Sequence, residues 1–563
     1  MSEFFQEPPT LGNQYDEDRV LRSYLKRKLP PDVLNDIEPE LQRMGRRVIT
    51  DIYQCSRAAE SMPPQHIPYD PWGKRIDHID VSDAWKQLDK ISAEEKLVAT
   101  GYERKHGAFS RTHQFAKIYL FHPSSAIYTC PLAMTDGAAR VLELYGDENL
   151  KQTALQHLLS SDPEQFWTSG QWMTERTGGS DVSGTSTIAK PEGSQFRLYG
   201  TKWFTSATTS QMAMTLARIE GAPQGSKGLS LFYVKLHDFQ GNLNGIRINR
   251  LKDKLGTHAL PTAELVLDGT PAILVGAQGD GVKKISSLFN ITRLYNACCA
   301  VGYMRRAIAL ARNYATKRMA FGRLLSEHGL HLETLSNLQL EFEGAFHFVF
   351  HAIELLGKEE TNEATLSESA ILRLLTPLVK LYTAKQAIAV VSEALEAFGG
   401  AGYVEDTGLP QLLRDAQVLS IWEGTTNVLS LDVLRAIRKE NAAEHLFDDI
   451  QARVSRVKSE ELHSSKQNTL KAVTKLKQYL ETMSVMSEEE QTITARLFAF
   501  SMAQTYTASL LLEHADWSLL RGNNDPQASI VAVRWCSRDL TLFLDPSMTY
   551  RKDSRMLALD VSI

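Results

Sequence analysis

The spacing of apolar residues changes period along this chain, and a fold built from one kind of element cannot accommodate the change. Within residues 31–160, stretches such as "DVLNDIEPELQRMGRRVITDIY" and "MTDGAARVLELYG" repeat at helical intervals, with Gly146 as a stop. From about 166 to 276 the pattern alternates instead: "SQFRLYGTKWFT", "GLSLFYVKL" and "TAELVLDG" are short, β-prone and separated by Gly, Pro and Ser. Helical spacing returns in "GVKKISSLFNITRLYNACCAVGYMRRAIALARNYATKRM" and in "LTPLVKLYTAKQAIAVVSEALEAFGG", both long enough for antiparallel bundle helices, the second leaving on Gly399-Gly400. These switches predict an α+β multidomain protein, mostly α. Its parts are an N-terminal helical domain (1–165), a middle β domain (166–278), a C-terminal helical bundle (279–440) and an extra helical segment (441–563). A chain of 563 residues is expected to form two to four domains with well-filled cores.

Composition excludes several classes. With 43% hydrophobic and 23% charged residues the chain is an ordinary globular one, neither disordered nor of low complexity. A net charge of -5 argues against nucleic acid as the default partner. Five cysteines, without a CxxC pair and odd in number, fit a reducing compartment. The start, "MSEFFQEPPTLGNQYDEDRV", has no apolar leader core, and the apolar runs at 118–135 and 497–512 are broken by polar residues. A soluble intracellular protein of cytoplasm or mitochondrion, with no membrane span, is the expectation.

Two polar interruptions stand out. "RDAQVLSIWEGTTNVLSLDVL" (414–434) places Glu423 before a glycine and three small polar residues inside an apolar stretch. Alone, this is a helix start, since Thr and Asn are good cap formers. "QWMTERTGGSDV" (171–182) puts Thr, Ser and paired glycines at a strand end, where backbone amides can approach a ligand. "EHGLHLE", with Glu327, His328, His331 and Glu333, has helical spacing but no distant partner set, so it reads as a solvated helix face and no metal is expected.

Taken together and in order, "MTERTGGSDV", "GTKWFTS", "FNITRLYNACCAVGYMRRAIALARNYATKRMAFGRLL", "EAFGGAGY" and "LLRDAQVLSIWEGTTNV" resemble the flavin-dependent acyl-CoA dehydrogenase family. The resemblance covers about residues 130–434 and implies a helical domain, a β domain and a four-helix bundle. The long N-terminus and the segment after 440 resemble the branch that contains the bacterial alkylation-response flavoprotein. It implies FAD as cofactor, with Gln171, Met173, Thr174, Gly179 and Ser180 on the flavin loop and Thr174 toward the reactive ring edge. Aligned on Gly200 and Lys202, Phe204, Thr205 and Ser206 take the flavin-shelf positions, Phe204 in place of the usual Trp. Arg318, Phe321, Glu396 and Gly400 match residues that reach a neighbouring subunit's flavin, which implies a homodimer or homotetramer. Trp422, Gly424, Thr425, Thr426 and Asn427 flank the base and contact the cofactor. The chain departs from the family at Gly329, at Arg176-Thr177, and at His258 and Leu260, which bears on substrate preference more than on cofactor binding.

On this resemblance Glu423 is the catalytic base. An α-C–H beside a thioester is a weak acid, so the carboxylate needs a raised pKa and the enolate needs stabilising, both of which call for burial. The implied reaction is α,β-dehydrogenation of a fatty acyl-CoA of medium to long chain, with electrons passed to an electron-transfer flavoprotein. Arg293 matches the arginine near bound CoA, with Ser180 and Asn290 as further substrate contacts. The alternative class is a flavoprotein that binds and sequesters acyl-CoA with little turnover. DNA association ranks below both, because residues 441–563 carry 14 Lys plus Arg against 16 Asp plus Glu.

Overall fold

The helix Gly281–Ala315, 35 residues long, is the spine of the molecule. Apolar or small residues lie all round it, so it is buried for most of its length, as expected of a helix with neighbours on every side. Against it pack Gly329–Glu360, Leu366–Glu396 and Thr129–Tyr145. Leu366–Glu396 starts on a capping box, in which the Thr365 hydroxyl accepts the Glu368 N–H and the Glu368 carboxylate accepts the Thr365 N–H. The computed structural model describes residues 5–522 and 524–561.

Among the described residues Leu366–Glu396 is long and apolar enough to cross a membrane by length and composition, which the sequence reading did not single out. It is a core helix instead, with 78% of its most apolar window buried inside the protein.

The middle region is a seven-stranded sheet that closes on itself. Its order is β3 (Ser169–Trp172), β6 (Met212–Ile219), β4 (Ile188–Glu192), β5 (Gln195–Ser206), β9 (Thr262–Leu274) and β7 (Leu229–Lys235), and β7 pairs back onto β6. β8 (Ile246–Leu251) adds to β9. Alternate residues such as Leu198, Ala213, Phe232, Val234 and Leu265 fill the interior, which is why these strands read as alternating. The N-terminal region is helical as expected, but an antiparallel hairpin, β1 (Gln65–Tyr69) with β2 (Arg75–Asp80), interrupts it. Its exposed, mostly polar strands gave no alternation strong enough to detect.

After Thr426–Glu440 come Ala442–Arg456, His463–Ser484, Glu488–Leu520, Ala528–Cys536 and Met548–Leu559, so the last segment is helical. It is no appendage. The Glu488–Leu520 helix packs on Thr426–Glu440, Gly329–Glu360 and Leu366–Glu396, and one apolar cluster runs from the N-terminal helices through the bundle into this segment.

Candidate active site

The loop that follows β3 is held by a buried ion pair. Glu175 Oε1 accepts from Lys202 Nζ of β5 at 2.9 Å, and the two Glu175 oxygens also accept the backbone N–H and hydroxyl groups of Ser186 and Thr187. Burial pushes the Glu175 carboxyl up, but Lys202 and the two hydroxyls outweigh it and bring it down to about 2. Lys202 Nζ also donates to Leu216 O of β6, so β5, β6 and the segment leading into β4 converge on this pair. The Trp203 N–H donates to Thr174 O, tying the loop to β5 where its pairing with β9 slips between Lys202 and Thr205. This bulge throws Phe204 into a left-handed conformation (φ +56°) and turns its ring outward, 58% exposed. Gly179 permits close packing: a Cβ there would lie 2.6 Å from Thr174 Oγ1.

Glu423 meets the end of β3 from the bundle side, through Gln171. Helix Leu409–Val418 ends before it, Thr425 caps Thr426–Glu440 after it by accepting the Val428 N–H, and the linker must turn sharply between two close helix ends. Glu423 and Gly424 both take positive φ, +57° and +100°. A non-glycine residue in this region is strained by about 1–3 kcal/mol, and such strain clusters at functional sites. Glu423 Oε1 accepts from Gln171 Nε2 at 3.2 Å and Oε2 from Thr292 Oγ1 at 2.7 Å. Residues 171 and 423, 252 apart in sequence, therefore touch. Burial raises the Glu423 carboxyl above the ordinary glutamate range, opposed by the Thr292 hydroxyl, Arg293, Lys380 and Gln171. Its residue surface is half-buried.

Lys380 is a participant the sequence reading missed. It donates to Gly424 O from the buried Leu366–Glu396 helix, and burial pulls its ammonium down to about 7 against the opposing pull of Glu423. A lone lysine in the apolar run "LTPLVKLY" was the available signal. Removing its charge leaves the Glu423 carboxylate less stabilised. We expect Lys380→Met to move the acid limb of the kcat/KM profile to higher pH by about one unit, measured from pH 5 to 9. An unmoved limb would separate Lys380 from the ionisation of the base.

The remaining expected residues divide clearly. Gln171, Met173 and Thr174 lie at the end of β3, with Gly179 packed on Thr174 and Ser180 exposed beside it. Phe204 is open, and the Ser206 hydroxyl pairs with Thr262 Oγ1. Thr205 differs from expectation: it is fully enclosed and its hydroxyl donates to Ala263 O, because strand alternation turns it inward, away from any ligand on the Phe204 face. Trp422 is half-buried against the core, Thr426 is buried, and Thr425 and Asn427 are exposed. Asn427 Oδ1 accepts from Arg496 of the last segment. Arg293 is ion-paired to Asp432 at 2.7 Å, which Arg373 also engages, while its Nε has no partner among the described residues. Asn290 is half-buried a turn away on the same helix. Arg318 bonds Gln6 Oε1, Phe321 is 98% exposed, and Glu396 and Gly400 are also exposed. His328 precedes its helix, so the helical face read from "EHGLHLE" starts only at Gly329.

A carboxyl raised by burial and hydrogen-bonded to Gln171 at the end of a strand that leads into a glycine loop, where the bundle meets a closed sheet, fits an oxidoreductase site of the acyl-CoA dehydrogenase kind, and the chain belongs to that family. Acyl-CoA dehydrogenase, middle domain, matches residues 170–270, and Acyl-CoA dehydrogenase, C-terminal domain, matches 279–438. The flanks match Adaptive response protein AidB N-terminal domain (6–164) and Acyl-CoA dehydrogenase 11 C-terminal domain-like (441–562). Acyl-CoA dehydrogenase family member 11 of Caenorhabditis elegans is 44% identical over 95% of this chain and 88% of its own length. Putative acyl-CoA dehydrogenase AidB of Escherichia coli is 32% identical over 73% and 76%. Among solved structures, C. elegans ACDH-11 in complex with C11-CoA superposes with a TM-score of 0.96 at 43% identity, covering 100% of this chain and 97% of that one. The Bd2924 apo-form gives 0.86 at 53% identity, covering 91% and 100%.

FAD is the cofactor of this family, and the residues present fit it. Gln171 Oε1 is buried without a partner among the described residues, and such an orphaned acceptor at the strand end suits a cofactor hydrogen-bonding edge. Met173, Thr174, Ser180 and Phe204 would hold it from the sheet side, with Trp422, Gly424 and Thr425 from the bundle side.

Proposed function

We propose that this protein dehydrogenates a fatty acyl-CoA of medium to long chain between the α and β carbons, with Glu423 as the base that takes the α-proton. The observation that carries the reading is the contact of Glu423 with Gln171 and Thr292 inside a site that raises its pKa. A carboxylate there is a stronger base than an exposed glutamate, and two neutral donors fix its orientation. Thr292 and Gln171 hold the two oxygens without neutralising them, and closure of the cleft by substrate excludes water from the proton transfer. Bound FAD supplies the two-electron acceptor for the departing β-hydride. Ser180, Asn290 and Arg293 would meet the CoA portion; Arg293 keeps an unpartnered Nε–H for it while ion-paired to Asp432.

The division of labour we infer places the N-terminal domain at 1–165, the β domain at 166–278, the bundle at 279–440 and a buttressing segment at 441–563. Reduced enzyme would pass its electrons to an electron-transfer flavoprotein. A dimer or tetramer is supported by the exposure of Phe321, Glu396 and Gly400, which a neighbouring subunit's cofactor would cover. Light scattering of the FAD-loaded protein is expected to give a dimer or larger, and Phe321→Asp to weaken both assembly and flavin retention. A wild-type monomer that keeps its flavin would refute the shared site.

The function itself is tested by anaerobic titration of the yellow protein with saturated acyl-CoAs of increasing length. One length class is expected to bleach the flavin. Tight binding without bleaching would establish a sequestering protein instead.

A further inference from the structure

The loop between β8 and β9 holds a lysine that the site described above does not use. The loop closes where the Lys252 N–H donates to Thr262 O, and inside it the Lys254 ammonium meets three acceptors. Lys254 Nζ donates to Thr257 O at 2.8 Å, to Leu260 O at 2.6 Å and to Thr262 Oγ1 at 3.2 Å. Thr262 Oγ1 lies 3.1 Å from the hydroxyl of Ser206, its partner across the β5–β9 ladder. Ser206 is two residues beyond Phe204, and Thr205 between them is turned inward, so strand alternation places Ser206 on the side of the exposed ring.

The lysine sets the direction of this chain of hydrogen bonds. An ammonium has three protons and no lone pair, so Thr262 Oγ1 must accept at that contact. Among the described residues the Thr262 hydroxyl has no acceptor but Ser206 Oγ, so it donates there, and the Ser206 O–H is left to donate outward on the Phe204 side. The charge behind the chain is not compensated at close range. No described carboxylate lies within ion-pair distance of Lys254: Glu60 is engaged by His258 and Arg414, and Asp415 by the Thr257 N–H and Gln411. Burial brings the ammonium down to about 8, opposed by Cys130, Asp415 and Glu60, so it is charged at neutrality. Lys252, the other lysine of the loop, is neutralised by Glu264.

A flavin gains electron density on reduction, so a fixed O–H with a cation behind it favours the reduced state over the oxidised one. We propose, resting on the placement of FAD against the Phe204 face of the sheet, that Lys254 is a positioning residue that acts through Thr262 to aim the Ser206 hydroxyl at the flavin and raise its reduction potential. On this assignment the bundle supplies the proton acceptor, Glu423, and the β domain tunes the electron acceptor.

The test is the midpoint potential of the FAD-loaded protein at pH 7, read by dithionite titration against an indicator dye. No acyl-CoA is present, so the outcome is independent of turnover. Lys254→Met is expected to shift the equilibrium about 10- to 100-fold toward the oxidised form, the range for a hydrogen bond to a charged group. For two electrons that is a fall of about 30–60 mV. Thr262→Val keeps the cation but breaks the chain, and should lower the potential as well; Lys254→Arg and Thr262→Ser should each return most of the loss. The double variant Lys254→Met/Thr262→Val should fall no further than Lys254→Met, because the two residues act in series. Thr262→Val changes the side-chain shape little, so the test survives if Lys254→Met folds poorly. A wild-type potential in Thr262→Val, or additive shifts in the double variant, would overturn the proposal and leave the dehydrogenase reading intact. If the wild type retains no flavin, both fall together.

Discussion

Glu423→Gln is expected to abolish flavin bleaching by acyl-CoA, slowing it by about 10³- to 10⁴-fold, the upper range for loss of a general base. Ligand affinity should stay within a few-fold of wild type. Glutamine is nearly isosteric and keeps an acceptor for the Thr292 hydroxyl, but its amide cannot take a proton from carbon. It also places an N–H₂ against the Gln171 side chain, which can be met by turning that amide so that its free Oε1 accepts. Stopped-flow absorbance separates the two effects: a binding-linked spectral shift should persist while the reductive phase disappears. Bleaching at a rate within tenfold of wild type would remove Glu423 from the chemistry. In the wild type the same carboxylate must be ionised to act. Because burial raises its pKa, activity is expected to fall on acidification at a higher pH than that at which an exposed glutamate protonates.

The second large effect is structural. Glu175→Gln breaks the ion pair with Lys202 and leaves that ammonium buried beside an amide. Loss of one partner of such a pair costs about 3–5 kcal/mol. Chemical denaturation should show a decrease of that size, and flavin should be lost during gel filtration, because the pair anchors the loop from 171 to 180. The Glu175 pKa is depressed in the folded protein, so its contribution is present above the ordinary glutamate pKa and drains away as pH falls toward about 2. Wild type should therefore lose part of its stability across that acidic window, and the variant should lack that component. A variant within 1 kcal/mol of wild type would show that the loop is held by its other hydrogen bonds.

The architecture was legible because hydrophobic period is a local property. The strands at 195–206, 229–235 and 262–274 and the helices at 281–315 and 366–396 each announced themselves, while the hairpin at 65–80 did not, since its alternation in burial is carried mostly by polar residues such as Asp77. Glu423 as the proposed base was legible only through its company. Glu423 before Gly-Thr-Thr-Asn looks like a helix start, and Thr425 does cap the next helix, so the bland reading and the sharp one hold for adjacent residues. Lys380 and Lys254 escaped notice for a common reason. Each is a lysine whose role depends on which elements fold over it, and a local pattern does not carry that. Thr205 failed in the opposite sense: its position next to Phe204 suggested a shared role, but the bulge sends the two side chains to opposite faces.

The backbone at position 423 has a wider meaning. A glutamate forced into left-handed torsion and raised in pKa by burial is an unfavourable residue to keep, and exchange for glycine would relax the chain around it. A protein whose whole task was to grip a ligand would gain robustness by discarding it, so the tension in this turn speaks for proton transfer over mere storage.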